Sequence, residues 1–324
     1  MSDLNAASPA PQMTRTVSRR GLWLAFVRIR AVALVVFAFA GLLVQDHSRL
    51  PRFVYPVLFA LPLCLAMLRR EARAIRLWGA YVVSFVVFSL VRGHADDIGF
   101  PVRAEYVADI DRWLGLGTVP THALQAILPL SGVAVWTAVF VHLTYYAAPP
   151  LVGLLYWLRA PERFFRYAYG FVAMYAVSLA VHIVVPTVPP WLAAIRGTIG
   201  PVRRLLAEAL NGWNPSFYQY GLYVAAGNDV AAMPSVHAAA TALILCAAWR
   251  TRWRLMAAVY AALMALALMY LGEHYLTDIL AGFLIAGAAW WATKFVEGWN
   301  DAHQSTADST MKRTGSDLRA GAAP

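Results

Sequence analysis

Two histidines, each beside an apolar run, are the residues best placed for chemistry. One closes Met233-Pro-Ser-Val-His237; the other lies in Gly272-Glu-His-Tyr-Leu-Thr-Asp278, 37 positions further on. His274 and Asp278 are four apart, so on a helix they share a face. A carboxylate there accepts a hydrogen bond from one imidazole nitrogen, fixes the tautomer and leaves the other nitrogen free to attack. An ionisable side chain within an apolar span is costly and is by default a functional candidate. Ser235 follows a proline and precedes a helical run, which suits an N-cap. His237 then falls in the first turn, where free backbone N–H groups and the positive end of the helix dipole favour a phosphate. A bound phosphate dianion would favour protonated His237 and let it serve as a general acid. Nucleophile, orienting carboxylate and acid together are the parts of a phosphoryl transfer.

These residues must be held by membrane helices. Of the 324 residues 60% are hydrophobic and 14% charged, against about 25% charged in soluble domains. About eight apolar runs are long enough to cross a bilayer: 26–45, 52–68, 75–91, 132–157, 165–186, 235–250, 253–272 and 275–296. No strand-like alternation competes with them. The expected fold is all-α, a polytopic membrane bundle of about eight transmembrane helices. Its parts are a disordered tail at 1–20, two additional helices at 21–74, a catalytic membrane domain at 75–297 and a second disordered tail at 298–324. The net charge of +10 is almost entirely arginine, the lysines being Lys294 and Lys312. With no contiguous basic face, nucleic acid is excluded as a partner. Cys64 and Cys246 sit in apolar runs and suggest packing, with no disulfide framework and no metal site; no cofactor is expected. Ser18-Arg-Arg-Gly-Leu-Trp-Leu24 superficially resembles a twin-arginine signal, but Arg28 and Arg30 interrupt its apolar core, so it reads as a cytoplasmic anchor.

Arginines orient the bundle. They cluster at Arg69, Arg70, Arg73 and Arg76, at Arg159, Arg163 and Arg166, and at Arg250, Arg252 and Arg254, on alternate connections. By the positive-inside rule these connections and both termini are cytoplasmic. The site is then extracytoplasmic, because His237 opens the sixth run and His274 ends the seventh. The long segments 92–131 and 187–234 fall on that same side. The first has amphipathic stretches such as Tyr106–Leu114; the second is rich in Pro, Trp and Tyr. Both are expected to form short surface helices over the site.

Pro-Ser-x-His followed by His-x-x-x-Asp resembles the type 2 phosphatidic acid phosphatase superfamily over roughly 75–296. The resemblance implies a six-helix core and a metal-free mechanism. It implies that His274 is the nucleophile forming a phosphohistidine, that Asp278 orients it, and that His237 protonates the leaving group. The superfamily's upstream Lys-x6-Arg-Pro is absent, and its Ser-Arg pair is replaced by Ala267 and Leu268. Both losses are similar to the branch containing inositol phosphorylceramide synthase. So are Pro186-Thr-Val-Pro-Pro-Trp191 and the stretch from Arg92-Gly-His-Ala-Asp-Asp97 through Asp111-Arg-Trp113.

The lost phosphate cations must be replaced. Arg92, Arg103, Arg112, Arg196, Arg203 and Arg204 lie on the outer segments, and Arg92 and Arg196 are favoured with Ser235 as phosphate-binding residues, because an arginine fork matches phosphate oxygens. The partners are a phospholipid or other lipid phosphate, a lipid alcohol if the acceptor is not water, and the membrane. If an alcohol resolves the intermediate the enzyme is a transferase; if water, a phosphatase. A proton-relaying transporter built on His142, His182 and Asp278 is the rival, against which those histidines read as hydrogen-bonded packing residues and no broken-helix pair or inverted repeat supports transport. Glu273 reads as a solvated end residue.

Overall fold

The computed structural model describes residues 54–98, 100–103, 105–215 and 228–295. The run 26–45, the arginine pair at 19–20 and both expected tails lie outside them. The described residues are helical, with two isolated β-bridges, Arg103 with Thr187 and Thr187 with Ala231.

The long helices follow the apolar runs. They are α1 (Val54–Arg69), α2 (Ala72–Arg92), α5 (Val133–Thr144), α6 (Ala148–Arg159), α7 (Pro161–Val184), α10 (Val236–Ala248), α11 (Arg254–Tyr270) and α12 (Leu276–Phe295). Short helices interrupt the connections: α3 (Glu105–Leu114), α4 (Pro120–Ile127), α8 (Pro190–Ile195) and α9 (Leu205–Trp213). By length and composition α2, α7 and α12 can each cross a membrane, and the pair α5–α6 makes a fourth if taken as one span. α10 and α11 are apolar but shorter. Val83, Val86, Val87 and Leu90 on α2 and Met256, Val259, Leu263 and Leu266 on α11 point outward. Apolar stripes of this extent are suited to lipid rather than water.

The run 132–157, expected as one span, is two helices bent by 47°. Pro149 and Pro150 begin α6 and have no N–H to continue the hydrogen-bond ladder. The chain tightens there, with Tyr145, Tyr146 and Ala147 donating to carbonyls three residues back.

An aromatic ladder joins α2 to α7. Trp78 packs on Phe164 (ring centroids 4.7 Å), Tyr81 on Phe171 (5.3 Å), and Phe88 on Tyr175 (5.3 Å) and His182 (5.6 Å). Contacts advance together along both helices, so these run parallel and bring Arg92 and His182 to one end. The opposite end gathers arginines. Arg69 lies over Trp157, Arg73 over Phe165 and Arg166 over Trp290, while Trp157 Nε1 donates to Glu71 at 2.7 Å. α10 and α12 cross closely because Gly282 has no side chain: a Cβ there would meet the Ser235 carbonyl oxygen at 2.3 Å. Small residues at such crossings let helices pack without a hydrophobic driving force.

Candidate active site

The surroundings of His274 start with Asp111 on α3. Its carboxylate accepts from the backbone N–H of Leu276 (3.0 Å) and Thr277 (2.8 Å) and from the Thr277 hydroxyl (2.5 Å). It therefore caps the first turn of α12 from another element, satisfying donors that a helix start leaves free. Asp111 is fully buried. Burial pushes its carboxyl above the ordinary range, and the bonds from Thr277 and Leu276 pull it partly back.

His274 lies just before that turn. Its Nδ1–H donates to Asp278 Oδ2 at 3.4 Å, the long end of a hydrogen bond, and the Tyr275 N–H donates to the same oxygen at 3.0 Å. Nε2 is left for a substrate. Backbone bonds fix the turn further: the Thr121 hydroxyl of α4 donates to the His274 carbonyl (3.3 Å), and the Trp191 N–H of α8 to that of Gly272 (3.2 Å). Gly272 has φ +82°, a left-handed conformation that glycine adopts without strain, and a Cβ there would meet the Arg203 carbonyl oxygen at 2.4 Å. The short helices of both long connections thus hold the turn that presents His274.

Ser235 caps α10, its Oγ accepting from the Ala238 N–H at 3.3 Å. Its own N–H donates to the Asp278 carbonyl at 3.0 Å, which ties the first motif to the second. In the first turn of α10, the His237 ring faces His274 with centroids 6.1 Å apart. The broken α5–α6 pair supplies its other walls. His142 stacks on it at 4.5 Å and 28°, Tyr145 lies at 4.2 Å, and Tyr146 meets it edge-on at 6.0 Å. His237 Nε2 and His142 Nδ1 are buried and have no hydrogen-bond partner among the described residues.

Arg92 ends α2 at this site. It donates to the Ala231 carbonyl (3.4 Å) and lies within electrostatic range of Tyr146, Tyr145 and His237. Arg204 is closer to His274 than sequence suggested, through the residue before it. It pairs with Glu273 at 3.0 Å and Asp229 at 3.6 Å, lies over Trp191 at 4.1 Å, and is in electrostatic range of His142. Glu273, expected to be solvated, is instead the mostly buried partner of that arginine. Arg196 caps the end of α8, exposed, with no side-chain bond to the histidine pair among the described residues.

The structure therefore gathers His237, His274, Asp278, Ser235 and Arg92 in one place and leaves Arg196 on the rim. Sequence reasoning named Arg204 among six candidate cations without favouring it, gave no role to Asp111, Thr121, Tyr145 and Tyr146 at the site, and presented His142 as a packing residue. His182 does pack, with Nδ1 at 2.6 Å from the Ser178 carbonyl. Among the described residues no three His, Cys, Asp or Glu side chains are grouped to hold a metal ion.

The scaffold is helical and lipid-suited, and it presents two features at one end: facing imidazoles, and a carboxylate bonded to one of them. The profile of the PAP2 superfamily matches residues 105–292, more than half the chain. The chain belongs to that superfamily and is a phosphatase or phosphotransferase acting on phosphate esters. No curated protein and no solved structure matches it.

Proposed function

We propose that the protein is a lipid phosphotransferase of the inositol-phosphorylceramide-synthase type, embedded through about eight helices and working at the extracytoplasmic leaflet. The observation behind this reading is the facing pair His237 and His274, 6.1 Å apart by ring centroid, with Asp278 on the second. Reacting atoms must approach to about 3–3.5 Å, and this separation keeps one phosphoryl group within reach of both rings. His274 Nε2 attacks phosphorus, and the bond from phosphorus to the leaving lipid oxygen breaks. His237 gives that oxygen its proton, while Asp278 stabilises the His274 imidazolium, as the carboxylate does in a serine-hydrolase triad. An acceptor hydroxyl then loses its proton to His237 as its oxygen bonds phosphorus and the phosphorus–nitrogen bond breaks. Arg92 and Arg204 meet the phosphate charge, with the Ser235-capped turn of α10 supplying backbone N–H groups. Arg196, on the exposed rim, is kept for the outer part of a headgroup.

An alcohol acceptor is favoured over water by the walls around His237, which are the rings of His142, Tyr145 and Tyr146. Exclusion of water suppresses hydrolysis of a reactive intermediate. Support from sequence is the loss of both superfamily cation motifs together with the Pro-Pro-Trp191 segment.

The test is mass spectrometry of products formed by the purified protein from a phospholipid panel, with and without lipid alcohols. Expected are a product joined to the alcohol, an acid-labile phosphohistidine, and loss of turnover by about a thousandfold or more in His274→Ala. Headgroup phosphate released to water irrespective of the alcohol would make the protein a hydrolase. Full activity in His274→Ala would remove the nucleophile assignment itself.

A further inference from the structure

The two catalytic histidines are held by different means. His274 has a carboxylate. His237 makes no hydrogen bond among the described residues, and its Nε2 is buried. What fixes its ring is aromatic contact: His142 lies nearly parallel at 4.5 Å and Tyr145 is tilted at 4.2 Å. His142 is itself 6% exposed, with Nδ1 unpartnered. It is therefore not an ordinary packing histidine, which would spend its nitrogens on carbonyls as His182 does with Ser178.

We infer that His142 is a positioning residue: its ring, stacked on His237, holds the acid–base imidazole in register with His274, in place of the hydrogen bond that orients the nucleophile. The inference rests on the reaction proposed above. Its logic is chemical. In that reaction His237 gives a proton to the leaving oxygen and then takes one from the acceptor. A carboxylate partner would stabilise the imidazolium and hinder its discharge. A stacked ring restricts rotation without committing either nitrogen. Two imidazolium cations face to face would repel, so the stack stands when at most one ring is protonated. The groups bearing on the pair are His274, Arg92 and Arg204, with the Tyr145 and Tyr146 hydroxyls and Glu273. The position also depends on the helix break. His142 lies in the last turn of α5, just ahead of the Tyr145–Ala147 kink, so one local feature delivers all three rings to His237.

The experiment compares His142→Ala with His142→Phe in the purified full-length protein, following phosphohistidine formation and its discharge separately by rapid quench. Loss of the stack is expected to slow both half-reactions by a similar factor, about 10- to 100-fold, because general acid–base catalysis of that size runs through His237 in each. KM should change little. His142→Phe keeps a flat ring and should stay within about threefold of wild type, with an unchanged pH profile. Phe as impaired as Ala would overturn the stacking role and give His142 a proton of its own to handle. Wild-type rates in Ala would overturn the inference altogether. If Ala fails to fold, as read by its elution and melting in detergent, the Phe variant decides alone. His274→Ala run in parallel separates this result from failure of the proposed reaction, since only the latter leaves His274→Ala active.

Discussion

Asp111 does for α12 what no residue of that helix can. Two backbone N–H groups and one hydroxyl of the turn that follows His274 converge on its carboxylate. Sequence marked Asp111 only through the Asp111-Arg-Trp113 resemblance and its place on an amphipathic helix; its capping role was not visible, because its partners lie 165 and 166 positions away. Glu273 was misread for a similar reason, its partner Arg204 being 69 positions back. By contrast the placement of Ser235, His237, His274 and Asp278 was legible, because it depends on spacing within four residues or on a helix end. Asp111→Ala should leave buried donors unmatched, costing about 1–3 kcal/mol. It should also disorder the His274 turn. The pH dependence has a definite sign. The folded-state value of Asp111 lies above the unfolded one, so the folded chain holds this proton more tightly. Its contribution to stability is full at low pH and declines as pH rises from the ordinary carboxylate range through the raised value. The melting-temperature gap between wild type and Asp111→Ala, measured in detergent across that window, should therefore narrow as pH rises. A gap that widens would mean the hydrogen bonds outweigh burial.

Helix existence followed from hydropathy, since a long apolar run has few other ways to satisfy its backbone in lipid. Hydropathy is blind to a missing N–H, which is why 132–157 read as one span although Pro149 and Pro150 stand within it. The break is what brings His142, Tyr145 and Tyr146 to His237. The α10–α12 crossing depends on Gly282, one turn beyond Asp278, whose lack of a side chain permits the close approach. The contact is tighter than a methyl group allows: a Cβ meets the Ser235 carbonyl oxygen at 2.3 Å and the Ala239 nitrogen at 3.1 Å, both backbone. Gly282→Ala must push the helices apart and lengthen the Ser235 N–H to Asp278 carbonyl bond. The expected cost is about 1–3 kcal/mol of stability, together with a larger fall in turnover than in substrate affinity, because His237 moves relative to His274. Gly287 offers the control, since a Cβ added there would have no atom within 4 Å; Gly287→Ala should match wild type in melting and turnover. Equal behaviour of the two variants would mean the crossing does not set the site.

The bundle has two chemically different ends. Stacking of Arg69, Arg73 and Arg166 on Trp157, Phe165 and Trp290 gathers the basic connections at one. Both histidine motifs, Arg92 and the short helices α3, α4 and α8 lie at the other. α12 has 20 residues, about 30 Å at 1.5 Å per residue, which matches a bilayer's hydrocarbon thickness. The orientation we propose keeps the arginine end cytoplasmic, as the positive-inside rule favours; the histidine end would then meet a phosphorylated lipid headgroup from the outer leaflet. The orientation is tested with single cysteines in a Cys64→Ser, Cys246→Ser background. Thr118→Cys lies between α3 and α4 at the histidine end, and Glu162→Cys at the arginine end; both positions are exposed and neither removes an arginine. A membrane-impermeant maleimide should label Thr118→Cys on intact cells and Glu162→Cys only after permeabilisation. The reverse pattern would turn the site toward the cytoplasm. Substrate and acceptor would then have to come from the inner leaflet, although the chemistry between His237 and His274 would stand. Labelling of both from one side would mean that the two ends do not lie on opposite faces of a membrane, and the spanning role of α2, α7 and α12 would fall with it.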